Sequence, residues 1–165
     1  MARIDFDKLL TKGVTSYEKE VGDWWVKQSE DAAHRRAYDT VAAHVAAVAK
    51  KAGARRGLVV DYACGNGRLL ERLANALPEA RIVGLDGAKK LLAMTAARLR
   101  ALGHDAAVCE PGEAFGPASR GPRIRLVQSL LPSFKVPANK VDVVVFCFPN
   151  ITMGPADQAL YDRHG

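Results

Sequence analysis

The sequence predicts an α/β fold with a doubly wound, mostly parallel sheet and an N-terminal helical cap. Two short apolar runs, 58–61 and 81–85, are typical of parallel strands that are buried on both faces. Each run is followed by a segment with leucines at helical spacing, at 68–77 and 88–102. Strands that alternate with helices in this way favour a parallel sheet with helical crossovers.

The later strands are harder to place. We expect the third core strand at 123–128 and treat 104–122 as an inserted loop or small hairpin. The opposite assignment, with the short apolar stretch 106–109 as the third strand, stays open. The apolar run 141–148 is the strongest strand candidate in the chain, and we expect it to be the fourth, central strand.

The chain divides into an N-terminal helical cap, 1–56, and an α/β core, 57–165. Only four strands are visible in the core, and a parallel sheet with one exposed edge is prone to aggregate. Either the chain is a fragment of a longer protein or another chain supplies the remaining strands. We expect a fragment with an incomplete core.

Composition excludes several classes of protein. No apolar run reaches the about 18 residues of a spanning helix, and no secretory signal opens the chain, so we expect a cytoplasmic protein with no membrane partner. The three cysteines are odd in number and far apart, which favours neither a disulfide framework nor a zinc site. The four histidines are scattered without metal-ligand spacing, so we predict no metal.

The net charge of +6 raises the question of nucleic acid. Basic clusters occur at Arg35-Arg36, Lys50-Lys51 and Arg55-Arg56. Lysines that close a helix complement its dipole, which is the simpler interpretation of the second cluster. An RNA-binding surface stays possible, but aromatic residues are only 7% of the chain and none interleaves with these clusters, so no stacking platform is indicated.

The most informative segment lies between the first predicted strand and helix. Residues 61–67 read Asp-Tyr-Ala-Cys-Gly-Asn-Gly, and Asp86 ends the second strand about 20 residues beyond the glycines. This segment resembles the first motif of the class I S-adenosylmethionine-dependent methyltransferases, acid-x-Gly-x-Gly-x-Gly, with Ala63 in place of the first glycine. A dinucleotide-binding domain would require a glycine where Leu70 stands, for close helix–strand packing. The resemblance therefore implies a Rossmann-like fold with S-adenosylmethionine as cofactor.

The resemblance also implies a site at the carboxyl ends of the strands, where open α/β sheets bind ligands. Asp86 would accept hydrogen bonds from both ribose hydroxyls, although it could also cap the helix that follows. Asp61 would organise the turn and reach the cofactor's ammonium through water. In full, the predicted cofactor-binding residues are Asp61, Ala63, Cys64, Gly65, Asp86, Gly87, Ser129, Leu130 and Phe146.

The chemistry of the acceptor is less determined. The resemblance implies methyl transfer, and we expect a small-molecule acceptor because no nucleic-acid module is present. An RNA or protein methyltransferase, or a non-catalytic module that binds a nucleoside or cofactor, are the alternatives. No catalytic residue is identifiable, although Asn150 could line the site and one of Tyr17, Trp24 and Trp25 could close over the cofactor. Such aromatic residues more often anchor a cap onto the core.

Overall fold

The chain is described from a computed structural model. The structure describes residues 14–15, 17–117, 120–130, 136–137 and 140–147. Four helices lie in this part of the chain: α1 Glu20–Gln28, α2 Ala32–Lys51, α3 Arg68–Ala76 and α4 Lys89–Ala101. The strands are β1 Leu58–Tyr62, β2 Arg81–Asp86, β3 Ala106–Cys109, β4 Ile124–Gln128 and β5 Val143–Phe146, and a short 3-10 helix spans Pro111–Glu113.

The strands form one five-stranded sheet in the order β3-β4-β2-β1-β5, and every pair is parallel. The doubly wound α/β prediction is confirmed, because the chain runs from β1 to β2 in one direction and later returns past β1 to β5. In the register, Tyr62 lies opposite Leu85 and Phe146, and Asp86 lies opposite Gln128. Because all the strands are parallel, their carboxyl ends lie along the same edge of the sheet, and those of β4, β2, β1 and β5 lie side by side.

The segment after α4 corrects one prediction. Ala106–Cys109 is a strand that pairs in parallel with β4, so 104–122 is neither wholly a loop nor a hairpin. The predicted third core strand at 123–128 is found beside β2. Only four residues of β3 pair, and Val108 is half exposed, so its apolar pattern was too short to separate an edge strand from a loop.

The strand predicted at 141–148 is shorter than expected and lies elsewhere in the sheet. Val143–Phe146 pairs with β1 alone among the described residues, so it is an edge strand there and not a central one. Its alternate residues Val144 and Phe146 are 56% and 53% exposed, whereas Val145 is buried against the core.

One face of the sheet carries the main hydrophobic core. Side chains of α2, α3 and α4 share one buried cluster with β1, β2, β4 and β5; its members include Tyr38, Val45, Leu70, Leu92, Leu99, Ile82 and Leu126. The helices expected within 1–56 are seen at α1 and α2, and α2 packs on α3 as part of this core. The division of the chain at residue 56 stays a prediction.

Leu70 illustrates how this core accommodates a bulky residue at a helix–strand contact. Its side chain is fully buried, and a Cβ atom placed on Gly84 of β2 would lie 2.7 Å from Leu70 Cδ1. The glycine that permits close packing therefore stands on the strand, and the helix contributes the leucine. This arrangement explains why α3 can carry a leucine at position 70, where a dinucleotide-binding motif would have its third glycine.

Candidate functional site

The loop between β1 and α3 has an unusual backbone. Ala63, Gly65 and Gly67 take positive φ angles of 58°, 55° and 77°. Glycine adopts this region freely, whereas a residue with a Cβ does so at a cost of about 1–2 kcal/mol. Ala63 thus keeps the conformation of the glycine that it replaces, and the loop turns its backbone toward the carboxyl ends of the strands.

Polar side chains from two helices hold this loop in place. Thr95 of α4 donates its hydroxyl proton to the carbonyl oxygen of Gly65, with an oxygen–oxygen distance of 2.9 Å. Asn66 donates from Nδ2 to Ser29 Oγ at 2.7 Å, and both side chains are buried. A Cβ atom at Gly67 would collide with Thr95. These buried bonds leave the loop little freedom, which suits a surface that must fit a ligand closely.

Asp86 links the end of β2 to the glycine loop. Its Oδ2 accepts from the backbone amide of Gly65 at 2.8 Å, and its Oδ1 accepts from the amide of Ala88 at 2.9 Å. Ala88 is the residue before α4, so Asp86 also satisfies a donor at the start of that helix. Burial raises the pKa of Asp86, while the two amide hydrogen bonds oppose that change.

Asp61 lies at the end of β1 in a different environment. Its side chain is only 1% exposed, and Oδ2 has no hydrogen-bond partner among the described residues. Burial raises the pKa of Asp61 well above its usual value, and the nearby carboxylate of Asp86 raises it further. A buried acid without a donor is costly to keep, so its presence beside the glycine loop points to a ligand.

The segment before α1 reaches the same edge of the sheet. Glu18 accepts hydrogen bonds from the backbone amides of Lys89 and Lys90, the first residues of α4. Asp23 forms an ion pair with Lys90 at 2.7 Å, and Val14 lies against Gly87. Sequence analysis missed Glu18, because a single glutamate in a helical region carries no motif and its partner helix lies about 70 residues away in the chain.

Of the aromatic candidates, Trp25 is the one that contacts the glycine loop. A Cβ atom placed on Gly65 would lie 3.2 Å from Trp25 Nε1. The indole also packs edge-on against His34, with ring centroids 5.7 Å apart. Trp24 is 46% exposed, and Tyr17 is half-buried.

The space that remains beside the loop is small. A cavity of about 10 Å³ lies there, roughly the room that one water molecule needs. Its walls include four of the predicted residues, Asp61, Ala63, Cys64 and Gly65, together with Trp25, Tyr38, Asn66, Arg68, Leu69 and Cys147. A nucleoside would therefore require Trp25 or its neighbours to move.

Three further groups around this cavity have raised pKa values. Burial raises the pKa of Tyr38 to about 12, and Cys147 and Asp61 add to the shift. Burial raises the pKa of Cys147 to about 11, with Asp61 adding to it, and the pKa of Cys64 is raised chiefly by burial. All three side chains are therefore neutral at physiological pH.

The remaining predicted residues lie along the same edge. The amide of Ser129 donates to the carbonyl of Asp86 at 2.9 Å, and Leu130 lies against Gly87. Gln128 donates from Nε2 to the carbonyl of Gly87 at 3.0 Å. Phe146 packs edge-on against Tyr62 and is not among the residues that line the cavity. Asn150 lies outside the described residues.

The described residues contain neither a metal-binding cluster nor a membrane-spanning helix. No group of three or more histidine, cysteine or acidic side chains is placed to hold a metal ion in the described part of the chain. Within the same residues, no helix combines the length and apolar character that a membrane crossing requires.

Comparison with known proteins places this loop in a family. Residues 59–114 match the family described as "methyltransferase domain", and this stretch contains β1, the glycine loop, β2 and α4. No curated protein matches the chain at the significance applied.

Solved structures give the same fold. The chain is similar to magnesium protoporphyrin IX methyltransferase from Synechocystis PCC 6803 with bound S-adenosylmethionine, at a TM-score of 0.60, 20% identity, 88% coverage of this chain and 63% of that one. A plantazolicin methyltransferase in complex with a monoazolic desmethylPZN analog and S-adenosylhomocysteine gives a TM-score of 0.54 at 12% identity, covering 86% of this chain and 48% of that one. A putative S-adenosylmethionine-dependent methyltransferase from Methanococcus maripaludis gives a TM-score of 0.54 at 16% identity, with 99% and 60% coverage.

This chain thus spans less than two thirds of the length of each of these three proteins. At such low identity the structural similarity establishes the fold, and the family model matches residues 59–114 of the 165. The motif after β1, which resembles that of the class I S-adenosylmethionine-dependent methyltransferases, lies within this matched stretch.

Proposed function

We propose that this chain binds S-adenosylmethionine at the carboxyl edge of its sheet and transfers the methyl group to a small-molecule acceptor. The observation that carries the proposal is the junction of the glycine loop with two acids. Asp86 is hydrogen-bonded to Gly65, and Asp61 is buried close by with an unpartnered oxygen. The glycine loop, the acid expected to bind the ribose and the buried acid with an unpartnered oxygen therefore lie close together.

The charges of this edge fit a cationic ligand. Asp61 and Asp86 stand together, and Glu18 is close enough to raise the pKa of Asp86 further. S-adenosylmethionine carries an ammonium and a sulfonium, so it brings positive charge to a cluster of acids. A nicotinamide dinucleotide would instead bring a pyrophosphate, whose negative charges the same acids would repel. The dinucleotide alternative is therefore disfavoured by charge.

Each residue has a role that follows from its geometry. Asp86 has one lone pair on each oxygen already engaged by an amide, which leaves acceptor capacity on both oxygens for a pair of ribose hydroxyls. Gly65 offers a surface without a side chain, so a ligand can approach its backbone closely. Gly87 and Leu130 form the neighbouring apolar wall where the adenine would lie.

The cofactor, when bound, supplies a methyl group on a positively charged sulfur. In-line transfer from such a centre depends mainly on placement and on the exclusion of water, which together can contribute about 7–11 kcal/mol. The rigid loop held by Thr95 and Asn66 provides placement. Trp25 and the segment around Glu18 lie over the loop and the start of α4, where they would exclude water.

A small-molecule acceptor is supported by two similar structures. One acts on magnesium protoporphyrin IX, and the other was crystallised with analogs of plantazolicin. Both proteins are longer than this chain, which covers 63% and 48% of their lengths.

Calorimetric titration of the chain with S-adenosylmethionine and, separately, with NAD tests the cofactor. We expect saturable binding of S-adenosylmethionine and of S-adenosylhomocysteine, and no binding of NAD at the same concentrations. Binding of NAD alone would overturn the proposal. A screen of acceptors with a radiolabelled methyl group then tests the small-molecule class, with bulk RNA as the comparison. Salt-sensitive methylation of the RNA alone would replace a small-molecule acceptor with a nucleic acid.

A further inference from the structure

Two carboxyl groups meet at the candidate site, and they differ in their hydrogen-bond donors. Asp86 receives two backbone amides, from Gly65 and Ala88, which stabilise its ionised form. Asp61 is almost fully buried, and its Oδ2 receives no donor from the described residues. When two acids share a buried site, the one with fewer donors is the one that keeps its proton.

The other groups that face Asp61 do not remove this difference in hydrogen-bond donors between Asp61 and Asp86. Tyr38 from α2, Cys64 from the loop and Cys147 after β5 are neutral at physiological pH. Arg68 of α3 lines the same cavity; its terminal nitrogen pairs with Glu30, and its buried Nε has no hydrogen-bond partner among the described residues. Trp25 closes the cavity without any charge. Of the charged groups in the described part of the chain, Asp86 is the one that raises the pKa of Asp61, beside the larger effect of burial.

We propose that Asp61 carries a proton in the ligand-free chain and releases it when a cationic ammonium ligand enters the site. This inference rests on the proposed function, since S-adenosylmethionine is the ammonium-bearing ligand in question. The step conserves charge: the ligand brings its ammonium, the O–H bond of Asp61 breaks, and the proton passes to solvent. A carboxylate and an ammonium then form the pair that the buried oxygen lacks in the ligand-free chain.

The consequence is a binding affinity that depends on pH. Ionised Asp61 attracts the ammonium and protonated Asp61 does not, so affinity rises with pH until Asp61 is ionised without ligand. On the acid side of that point, affinity for S-adenosylmethionine should fall by up to tenfold per pH unit. Tyr38 and Cys147, with pKa values of about 12 and 11, do not contribute in this range.

Proton release can be counted directly by calorimetry. S-adenosylmethionine is titrated into the full chain at about pH 6.5, where an α-amino group is still charged, in two buffers with different ionisation enthalpies. The slope of the observed enthalpy against the buffer enthalpy gives the number of protons released. We expect net release of protons, up to one per ligand, for the wild-type chain, and a clear reduction for Asp61→Asn. The inference is overturned if the wild-type chain releases none, or if Asp61→Asn releases as many.

Asp142→Asn is the matched control for this titration. Asp142 Oδ2 accepts from the backbone amide of Leu58 at 2.7 Å, at the opposite edge of the sheet. Asp142→Asn should leave the number of protons released per ligand unchanged. A reduced number in this variant would show that the proton release cannot be assigned to Asp61.

A ligand-free measurement separates this inference from the proposed function. The ¹³C shift of the Asp61 carboxyl carbon is followed by NMR as a function of pH in the wild-type chain. We expect a midpoint well above the usual value near 3.9, and a midpoint near 3.9 would refute the inference even if the cofactor binds. If the chain fails to bind S-adenosylmethionine but the midpoint is raised, the proposed cofactor is wrong and the protonated Asp61 stands.

Discussion

Arg125 and Asp61 are both buried and ionisable, and the protein treats them in opposite ways. Arg125 of β4 donates to the carbonyl oxygens of Glu113, Gly116 and Pro117 at 2.7–2.8 Å, so its guanidinium is surrounded by acceptors. Asp61 of β1 is buried to the same degree but has an oxygen without a donor. Both lie on parallel strands of one sheet, two strands apart.

The difference separates a structural charge from a binding charge. Arg125 fixes the loop after the 3-10 helix, and its bonds are complete without any ligand. Asp61 costs free energy in the ligand-free chain, because burial removes water and nothing described replaces it at Oδ2. Buried groups of this kind cluster at functional sites, where a bound ligand can offset the free energy that their burial costs. Asp61 lies beside the glycine loop, so it is such a candidate. Substitutions at the two positions should therefore act in opposite directions on stability.

The largest effect is expected at Arg125. Arg125→Met removes the three hydrogen bonds that the guanidinium donates, and at about 1 kcal/mol for each bond we expect the free energy of unfolding to fall by about 3 kcal/mol. Chemical denaturation measures this change. Arg81→Met is the control, because Arg81 gives the same loop only one bond, to Gly116 at 3.1 Å, and should cost about 1 kcal/mol. Equal losses at both positions would show that the network on Arg125 is not what stabilises the loop.

The next effect concerns binding at Asp86. Asp86→Ala removes the acceptor for the ribose hydroxyls, so affinity for S-adenosylmethionine should fall about 10- to 100-fold in a calorimetric titration. Asp142→Ala is matched to it, since each carboxylate accepts a backbone amide that links two segments of the core. Affinity should be unchanged in Asp142→Ala. If Asp86→Ala folds and binds normally, Asp86 is a helix cap and not a ribose ligand.

At Asp61 we expect a gain in stability that depends on pH. The folded-state pKa of Asp61 is raised above its unfolded value, so the wild-type chain loses stability as pH rises from about 4 through the folded pKa. Asp61→Asn removes that dependence, and at about pH 8 we expect it to be more stable than wild type by about 1–2 kcal/mol. Thermal unfolding at several pH values tests this result. A variant that is less stable than wild type by the same amount at every pH would show that Asp61 is paired in the folded chain.

The smallest effect is expected in the backbone of the same loop. Ala63 has a φ of 58°, so Ala63→Gly relieves strain and should stabilise the chain by up to about 1 kcal/mol, or leave it unchanged after the loss in chain entropy. Ala97→Gly, at an exposed position inside α4, should cost about 1 kcal/mol. Denaturation midpoints of the two variants test the difference in sign. A loss of equal size at both positions would mean that Ala63 is not strained.

Much of the fold could be predicted from the sequence, because its strongest patterns are local. The apolar runs at β1 and β2 and the leucines of α3 and α4 are each complete within about ten residues, and all four elements are found there. The stretch that forms β3 was placed in a loop or small hairpin, with a strand as the open alternative, because four residues at a sheet edge, one of them an exposed valine, do not form a distinctive pattern. Among the described residues β5 pairs with β1 alone, whereas a central strand was expected, because an apolar run does not reveal how many neighbours a strand has.

The site residues also divide into those that a local motif predicts and those that only the packing of helices brings to the site. The glycine loop and Asp86 are encoded by a short motif with a fixed spacing, and the structure joins them by a hydrogen bond. Glu18, Ser29 and Thr95 reach the loop or the start of α4 from distant positions, and each contact depends on helix packing. Trp25 was one of three aromatic candidates, and only the packing of α1 distinguishes it from Trp24.

An experimental structure of the chain with S-adenosylhomocysteine would test the account most directly. We expect the adenosine to lie across the carboxyl ends of β1, β2 and β4, with both ribose hydroxyls within hydrogen-bonding distance of the Asp86 carboxylate and the homocysteine amine facing Asp61. The account is contradicted if the ligand binds elsewhere on the chain, or if it occupies this edge with its ribose turned away from Asp86.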